Sequence, residues 1–522
     1  MSATSQNSKK IIAVAGSKLA AATLISRFLG LGREQAMAYM FGASGVTDAF
    51  LVAYRIPNLL RDLFAEGAFS SAFIPSFTGE RRKSHQQAKT LLWALFLLLL
   101  FITGVISLGI MVFAPELVSL MAPGFMQDPE KFDLTVVLTR MMAPFFTLVC
   151  IAALFVGALN TYKVFFIPAL SPASFNLMMV LTLFILPPIL VNYDYPPAYA
   201  LGLGVLAGGI VQLLIQIPFL RQKDLGPIIP KVLFFTESKK VFMKLGPGLL
   251  GYAATQINLI VNTILASTAG IGAISWLSYG FRLFQFPVGV LGVSIANSNL
   301  VHFAELWKNG EKKQAKKALM ASYELSWLLL LPSLIILFHS ANPLVRLIFV
   351  HGRFSISDGL STSMALKFYL LSLPFYGLIK IFTPTFYTLD QQRVPVICSV
   401  ISVSFNIVFC YLLVGEYGFK VLALGTTLST FINALFQGIV MKRSLGLDAS
   451  FFLNIKLLKV FLANVCCYFI LYWLKLFLPS EGSWALQFLA LAGFMATGLL
   501  SYGLLLVILG EARAIKNPIK RK

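Results

Sequence analysis

Residues 91–112 read LLWALFLLLLFITGVISLGIMV, without one charged side chain. A helix needs about 20 apolar residues to cross roughly 30 Å of hydrocarbon, so this stretch predicts a transmembrane span. Comparable runs recur from end to end. Hydropathy places about 14 spans, centred near Ala22, Ile56, Leu98, Phe146, Leu181, Leu206, Leu259, Leu291, Leu330, Ile379, Ile401, Thr427, Val465 and Gly498. An outer-membrane barrel would show alternating segments of about ten residues instead. The unbroken runs predict an all-α polytopic membrane protein.

Composition agrees. Of 522 residues, 58% are hydrophobic and 12% charged, where a soluble domain carries roughly 25% charged residues. Soluble globular and disordered classes are excluded. Lys and Arg number 42 against 21 Asp and Glu, a net +21. In a soluble protein that excess suggests nucleic acid. Here it sorts by topology: about 28 of the basic residues fall in the termini and even-numbered loops and about 4, namely Lys131, Arg346, Arg353 and Lys420, on the other side, so the positive-inside rule puts both termini in the cytoplasm. The main clusters are Arg81-Arg82-Lys83, Arg221 to Lys244, Lys308 to Lys317 and Arg513 to Lys522. No nucleic-acid partner is implied. Lys9-Lys10 before an apolar run mimics a secretory signal, but Lys18 interrupts the run and Arg27 and Arg33 follow it, so cleavage is not expected.

Cys150, Cys398, Cys410, Cys466 and Cys467 all lie in apolar segments and read as small packing residues. His85, His302, His339 and His351 form no cluster, and no P-loop, GxGxxG or HExxH motif occurs. Enzymatic chemistry, a cofactor and a metal site are not expected.

The informative charges are those inside the spans: Lys18, Arg27, Arg33, Arg55, Arg61, Arg140, Arg282, Lys367, Lys380 and Lys475, with Glu34, Asp48, Asp62, Glu66 and Glu324. Each costs about 3 kcal/mol on insertion scales and must face a bundle interior or wet cavity. After pairing, about five positive charges remain. Guanidinium groups stay ionised and grip phosphate bidentately, so an arginine-rich interior predicts an anion pathway. In the first span Gly30 and Gly32 separate Arg27 from Arg33, and a kink there would bring both to one cavity. In the second, Asn58, Asp62 and Glu66 form an i, i+4, i+8 stripe, with Arg61 beside it, that reads as cavity lining.

The chain also repeats. Pro144-Phe145, Leu159-Asn160 and Phe175-Asn176 recur as Pro374-Phe375, Leu389-Asp390 and Phe405-Asn406, an offset of about 230 residues that predicts two six-helix halves with a central substrate site. The expected organisation is an N-lobe over 1–222, a C-lobe over 223–445, and two extra helices with a basic tail over 446–522. Gly493, Thr497 and Ser501 form a stripe of small residues that would let the last two helices approach closely.

Together these residues resemble the MurJ (MviN) lipid II flippase family of the multidrug/oligosaccharidyl-lipid/polysaccharide exporter superfamily. The most specific block is Thr47-Asp48-Ala49-Phe50, Ile56-Pro57-Asn58-Leu59-Leu60-Arg61 and Phe64-Ala65-Glu66-Gly67-Ala68-Phe69-Ser70. Gly157-Ala158-Leu159-Asn160, Gly246-Pro247 and Phe286-Pro287 extend it. The resemblance implies a bacterial inner-membrane protein that flips lipid II, the undecaprenyl-pyrophosphate-linked precursor of peptidoglycan, by alternating access. It implies a lipid-tail groove on the last two helices and places cavity residues at Arg27, Arg33, Arg61 and Arg282, with Asn58, Asp48 and Glu66. Phe281, Leu300 and Asp62 depart from the family pattern. The substrate is the expected partner, with the cell-wall synthesis machinery. For energy coupling the candidates are the membrane potential and a monovalent cation held by Asn258, Asn406, Thr426 or Asn433. The competing readings are a flippase for another polyprenyl-linked glycan, a drug/cation antiporter, which should expose carboxylates, a membrane-embedded transferase, which should carry a catalytic constellation, and a non-transporting scaffold.

Overall fold

A computed structural model of the chain describes residues 3–63, 69–233, 236–289, 302–452, 454–479 and 482–511. The apolar stretch quoted above lies inside one helix, His85–Val112. The chain divides into two compact units, Met1–Ile271 and Gly272–Lys522. The first contains α1 (Ala3–Phe41), α2 (Gly45–Leu63), α3 (Phe69–Lys83), α4 (His85–Val112), α5 (Ala114–Met121), α6 (Pro129–Thr161), α7 (Phe166–Asn192), α8 (Tyr199–Leu214), α9 (Ile217–Gln222) and α10 (Thr236–Ser267). The second contains α11 (Ala273–Pro287), α12 (Lys312–Phe349), α13 (Ile356–Leu370), α14 (Leu373–Thr388), α15 (Arg393–Tyr417), α16 (Phe419–Leu445), α17 (Ala449–Phe452), α18 (Ile455–Leu474) and α19 (Trp484–Ile508). No strand occurs among the described residues.

Every predicted span centre except Leu291 falls within a helix; Leu291 lies outside the described residues. Nine helices among the described residues are long and apolar enough to cross a bilayer, or ten when α13 and α14, bent by 42°, count as one span. α2 is not among them, because Asp48, Arg55, Arg61 and Asp62 crowd its 19 residues. Local signals set the helix starts. The Asp128 side chain accepts from the Lys131 amide to begin α6, Ser355 and Asp358 form a reciprocal capping box on α13, and Asn454 and Ser483 cap α18 and α19. Such caps satisfy backbone N–H groups that have no partner inside the helix.

The sequence repeat is a repeat of helices. α1, α2, α4, α6, α7 and α8 recur about 230 residues on as α10, α11, α12, the α13–α14 pair, α15 and α16. Packing recurs too. α6 contacts α2, α4 and α8 in the first unit, and α13 contacts α11, α12 and α16 in the second, while α7–α8 and α15–α16 pair alike. The repeats differ at the Pro-Phe pair. Pro144 lies inside the unbroken α6, whereas Pro374 opens α14 just beyond the bend. Although α10 begins the second repeat in sequence, it packs against α2, α3 and α4 of the first unit. α18 and α19 fall outside the repeat and pack on α12 and on each other, burying Leu328, Ile336, Cys467, Leu471, Phe494 and Tyr502. The small-residue contact is one position away from the predicted stripe. An added Cβ on Gly493 would meet nothing within 4 Å, whereas one on Gly498 would stand 3.0 Å from Ile336.

Close helix approach in the first unit depends on α8. A Cβ on Gly208 would stand 2.6 Å from the Phe175 ring, and one on Gly209 2.8 Å from that of Phe145. These aromatic repeat residues therefore reach the α8 backbone. They also continue a ladder of rings, Phe50–Tyr54 at 5.6 Å, Tyr54–Phe145 at 5.8 Å and Phe145–Phe175 at 5.3 Å.

Candidate functional site

The end of that ladder carries an arginine. Arg33 of α1 sits 5.9 Å above the Phe175 ring and donates to the carboxylate of its neighbour Glu34 at 2.5 Å. Glu34 is buried and Arg33 is 14% exposed. Arg61 of α2 repeats the device: its Nε donates to Asp62 Oδ1 at 2.9 Å, and Asn58 Nδ2 approaches the other oxygen of Asp62 at 3.5 Å. Arg33 lies within electrostatic range of Arg61 and Tyr54, and Arg61 within range of Cys150 on α6. Arg33, Arg61 and Asn58 are thus gathered against α2 and α6, each arginine held by an acid one residue on. A guanidinium has five donors in a planar fork, so a carboxylate leaves donors over for a second anion.

The other expected residues are placed differently. α1 runs unbroken through Gly30 and Gly32, so the two glycines do not break the helix between Arg27 and Arg33. Arg27 stays on an exposed face. Gly30 instead admits a neighbour: Asn176 Nδ2 of α7 donates to the Ser26 carbonyl at 3.3 Å, and a Cβ on Gly30 would stand 3.4 Å from that nitrogen. Asp48 is fully buried, and its Oδ2 accepts from Lys131 Nζ at 3.2 Å. Lys131, expected in an outer loop, is itself buried and lies 3.9 Å over the Phe125 ring. Arg55 donates to Thr263 Oγ1 and so ties α2 to α10. Arg282 is an exposed residue of α11 in the second unit. Glu66 lies outside the described residues.

Sequence reasoning missed the pairing of Arg33 with Glu34, of Arg61 with Asp62 and of Asp48 with Lys131. The first two had a visible signal, an acid directly after each arginine. The third joins residues far apart in sequence and had none.

Among the cation candidates, Asn258 belongs to α10 in the first unit. Thr426 Oγ1 donates to its own helix at Leu422. The other two sit on a polar ladder between α15 and α16. Asn433 donates to Ser399, Ser429 donates to the Ser402 carbonyl, and Asn406 stands opposite Gly425, whose added Cβ would lie 2.6 Å from its Oδ1. Ser399 and Asn406 are about 10 Å apart along α15 at 1.5 Å per residue, so one ion would engage Asn406 or Asn433 but not both. Asn433 also accepts from Gln437 at 2.9 Å, which in turn accepts from Thr383 at 3.1 Å. No group of three or more His, Cys, Asp or Glu among the described residues is placed to hold a metal ion.

The family described as lipid II flippase MurJ matches residues 37–494. A relative from Buchnera aphidicola subsp. Acyrthosiphon pisum, named "Probable lipid II flippase MurJ", is 35% identical over 421 residues, which cover 79% of this chain and 80% of the relative. A solved structure of lipid II flippase MurJ in an inward closed conformation aligns with a TM-score of 0.76 at 25% identity, covering 94% of this chain and 98% of the other. An inward-facing multidrug resistance MATE transporter of the MOP superfamily shares the fold alone, with a TM-score of 0.62, 12% identity and coverage of 80% and 94%. The family match runs through both repeats: the chain is a transporter, not a catalyst, and belongs to the lipid II flippase MurJ family.

Proposed function

We propose that this protein carries lipid II from the cytoplasmic to the periplasmic leaflet of the bacterial inner membrane by alternating access. The observation that carries the reading is the pair of arginines, Arg33 and Arg61, each held by an adjacent carboxylate and within electrostatic range of each other. Two like charges in a low dielectric favour a polyanion between them, and a pyrophosphate offers enough oxygens to serve both forks. Arg27 adds positive charge for the same headgroup, Asn58 contacts the sugar-peptide, and Glu66 times release. In the empty protein Glu34 and Asp62 hold the guanidiniums in place. Substrate competes for the same donors, and a ligand shifts a conformational equilibrium only through differences of this kind. The polyprenyl tail stays in lipid beside α18 and α19, which expose apolar side chains such as Phe469, Trp473, Leu500 and Leu504.

The two lobes rock as units, with N- and C-termini in the cytoplasm. The membrane potential acting on cavity charge supplies about 2.3 kcal/mol per charge per 100 mV, and a monovalent cation at the α15–α16 polar ladder is the other source. The product feeds the cell-wall synthesis machinery. Depletion of the protein tests the reading: lipid II should accumulate on the cytoplasmic leaflet and become inaccessible to a periplasmic probe. Unchanged periplasmic exposure, in cells without a second flippase, would refute it.

A further inference from the structure

Three side chains of the second unit have no part in that reading: His339 on α12, Lys367 on α13 and Lys475 just after α18. His339 is 4% exposed, and its Nε2 has no hydrogen-bond partner. Its ring packs edge-on against Tyr468 of α18, with centroids 4.6 Å apart. Lys367 Nζ lies 5.6 Å over the ring of Phe338, the residue before His339. Lys475 follows Tyr468 by two helical turns and so projects from the same face of α18. Each of the three lies within electrostatic range of the other two. None makes an ion pair among the described residues. The adjacent Ser340 Oγ is also buried without a partner.

Depth matters to the meaning of this cluster. His339 stands about 15 Å from the Phe349 end of α12, and Lys367 about 16 Å from the Ile356 end of α13, at 1.5 Å per residue. These two ends are joined by residues 350–355, so both side chains lie at one level and in one half of the unit. That half is opposite the basic cluster Lys308 to Lys317. With the basic loops inside, it is the outer half, and the depth of His339 and Lys367 brings them close to the middle of roughly 30 Å of hydrocarbon. Lys475 alone would be read as a residue snorkelling to the interface. Lys367 is deeper and half-buried, and it shares its surroundings with an unsatisfied imidazole. Two ammonium groups sharing this position without an acid call for a counter-ion.

We propose that His339, Lys367 and Lys475 form a second anion site, which receives the pyrophosphate of the transported lipid on its way to the outer leaflet after it leaves the arginine cluster. The chemistry suits release. Ammonium groups bind phosphate as point charges without the two-pronged geometry of guanidinium, so they hold it less specifically than Arg33 and Arg61 do. The His339 Nε2, protonated in the appropriate tautomer, donates one hydrogen bond. The proposal rests on the flippase reading above, and the experiment separates the two.

The test uses the full chain in nanodiscs of phosphatidylethanolamine. Native mass spectrometry reads retention of undecaprenyl pyrophosphate and, separately, of phosphatidylglycerol. The proteins are wild type, R33A/R61A, and R33A/R61A combined with K367Q/K475Q or with K367R/K475R. R33A/R61A should keep a weaker, second mode of undecaprenyl pyrophosphate binding. Adding K367Q/K475Q should lower that mode at least tenfold, and adding K367R/K475R should leave it within about threefold. Equal retention with and without the lysines in two well-folded proteins would overturn the proposal and leave the arginine cluster standing. Loss confined to phosphatidylglycerol would overturn it as well, by assigning the site to a resident phospholipid. No binding of undecaprenyl pyrophosphate by wild type would overturn both this site and the flippase reading.

Discussion

Lys131 Nζ donates to Asp48 Oδ2 at 3.2 Å, with Asp48 fully buried, Lys131 at 7% exposure, and the Phe125 ring below the ammonium. The pair joins the start of α2 to the start of α6. Thr47 secures the same corner by donating its hydroxyl to the Gly42 carbonyl at 2.7 Å. Desolvating two charges offsets most of their attraction, so such a pair adds little stability relative to apolar residues of similar volume. Removing one partner is different, because it strands the other.

Asp48→Ala and Lys131→Ala should therefore each destabilise the protein by about 3–5 kcal/mol. The double replacement Asp48→Leu with Lys131→Met should cost much less than the sum of the two. Thermal melting in detergent measures all three. If Asp48→Ala instead left melting unchanged and abolished transport, the carboxylate would act on substrate and not on this corner of the fold.

Arg33 and Arg61 should behave as a unit. Arg33→Ala and Arg61→Ala should each abolish complementation of a depleted strain while the protein inserts normally. Arg33→Lys and Arg61→Lys should rescue poorly, because a point charge cannot reproduce the fork. The partner acids should do the reverse. Glu34→Gln and Asp62→Asn loosen the hold on the guanidiniums in the empty protein, so pyrophosphate should bind several-fold tighter while turnover falls. Binding uniformly tighter in ground and transition states does not raise a rate. Equilibrium binding of undecaprenyl pyrophosphate, set beside a leaflet-accessibility assay, separates the two effects.

Gly208 makes a prediction about packing alone. A methyl group there would press on the Phe175 ring from 2.6 Å, a distance that no Cβ contact tolerates without movement. Gly208→Ala should cost about 1–3 kcal/mol, the usual range for overpacking. It should also disturb Arg33, which rests on the same ring at 5.9 Å. Gly32→Ala, facing nothing within 4 Å, is the matched control and should leave melting unchanged.

The fold was legible in the sequence because hydropathy acts on whole segments, which tolerate errors of a few residues. The repeat was legible because Pro144-Phe145 and Phe175-Asn176 have packing roles that fix their spacing: Phe145 and Phe175 meet the glycines of α8, and Asn176 reaches the Ser26 carbonyl. Arg33 and Arg61 were legible as costly charges, but their partners were not fully so, and Arg27 and Arg282, which carry the same signal, are exposed. Arg33-Glu34 and Arg61-Asp62 are adjacent in sequence, yet residues one apart on a helix do not normally face each other. Their contact depends on long side chains folding back in a place where water is scarce. Asp48 read as cavity lining because a lone intramembrane carboxylate looks functional, and Lys131 read as an outer-loop residue. Only three-dimensional packing brings those two together.

The same limit applies to the last two helices, where it yields a final prediction. Gly493, Thr497 and Ser501 share one face by periodicity, so sequence alone favours them as the contact stripe. The fold puts Gly498 at the contact instead, with Ile336 at 3.0 Å and Leu471 at 3.3 Å from its missing Cβ, while Thr497 is spent on the Gly493 carbonyl. Tyr502, one turn further, donates to the Leu328 carbonyl at 3.0 Å and fixes α19 on α12. Gly498→Leu should therefore separate α19 from α12 and α18 and lower the melting temperature by several degrees. Gly493→Leu, on a face with nothing within 4 Å, should leave melting unchanged. If the polyprenyl tail runs along that open face, Gly493→Leu should still slow transport. A variant with wild-type stability and slower flipping would place the tail there, and one with wild-type behaviour in both assays would remove it from that face.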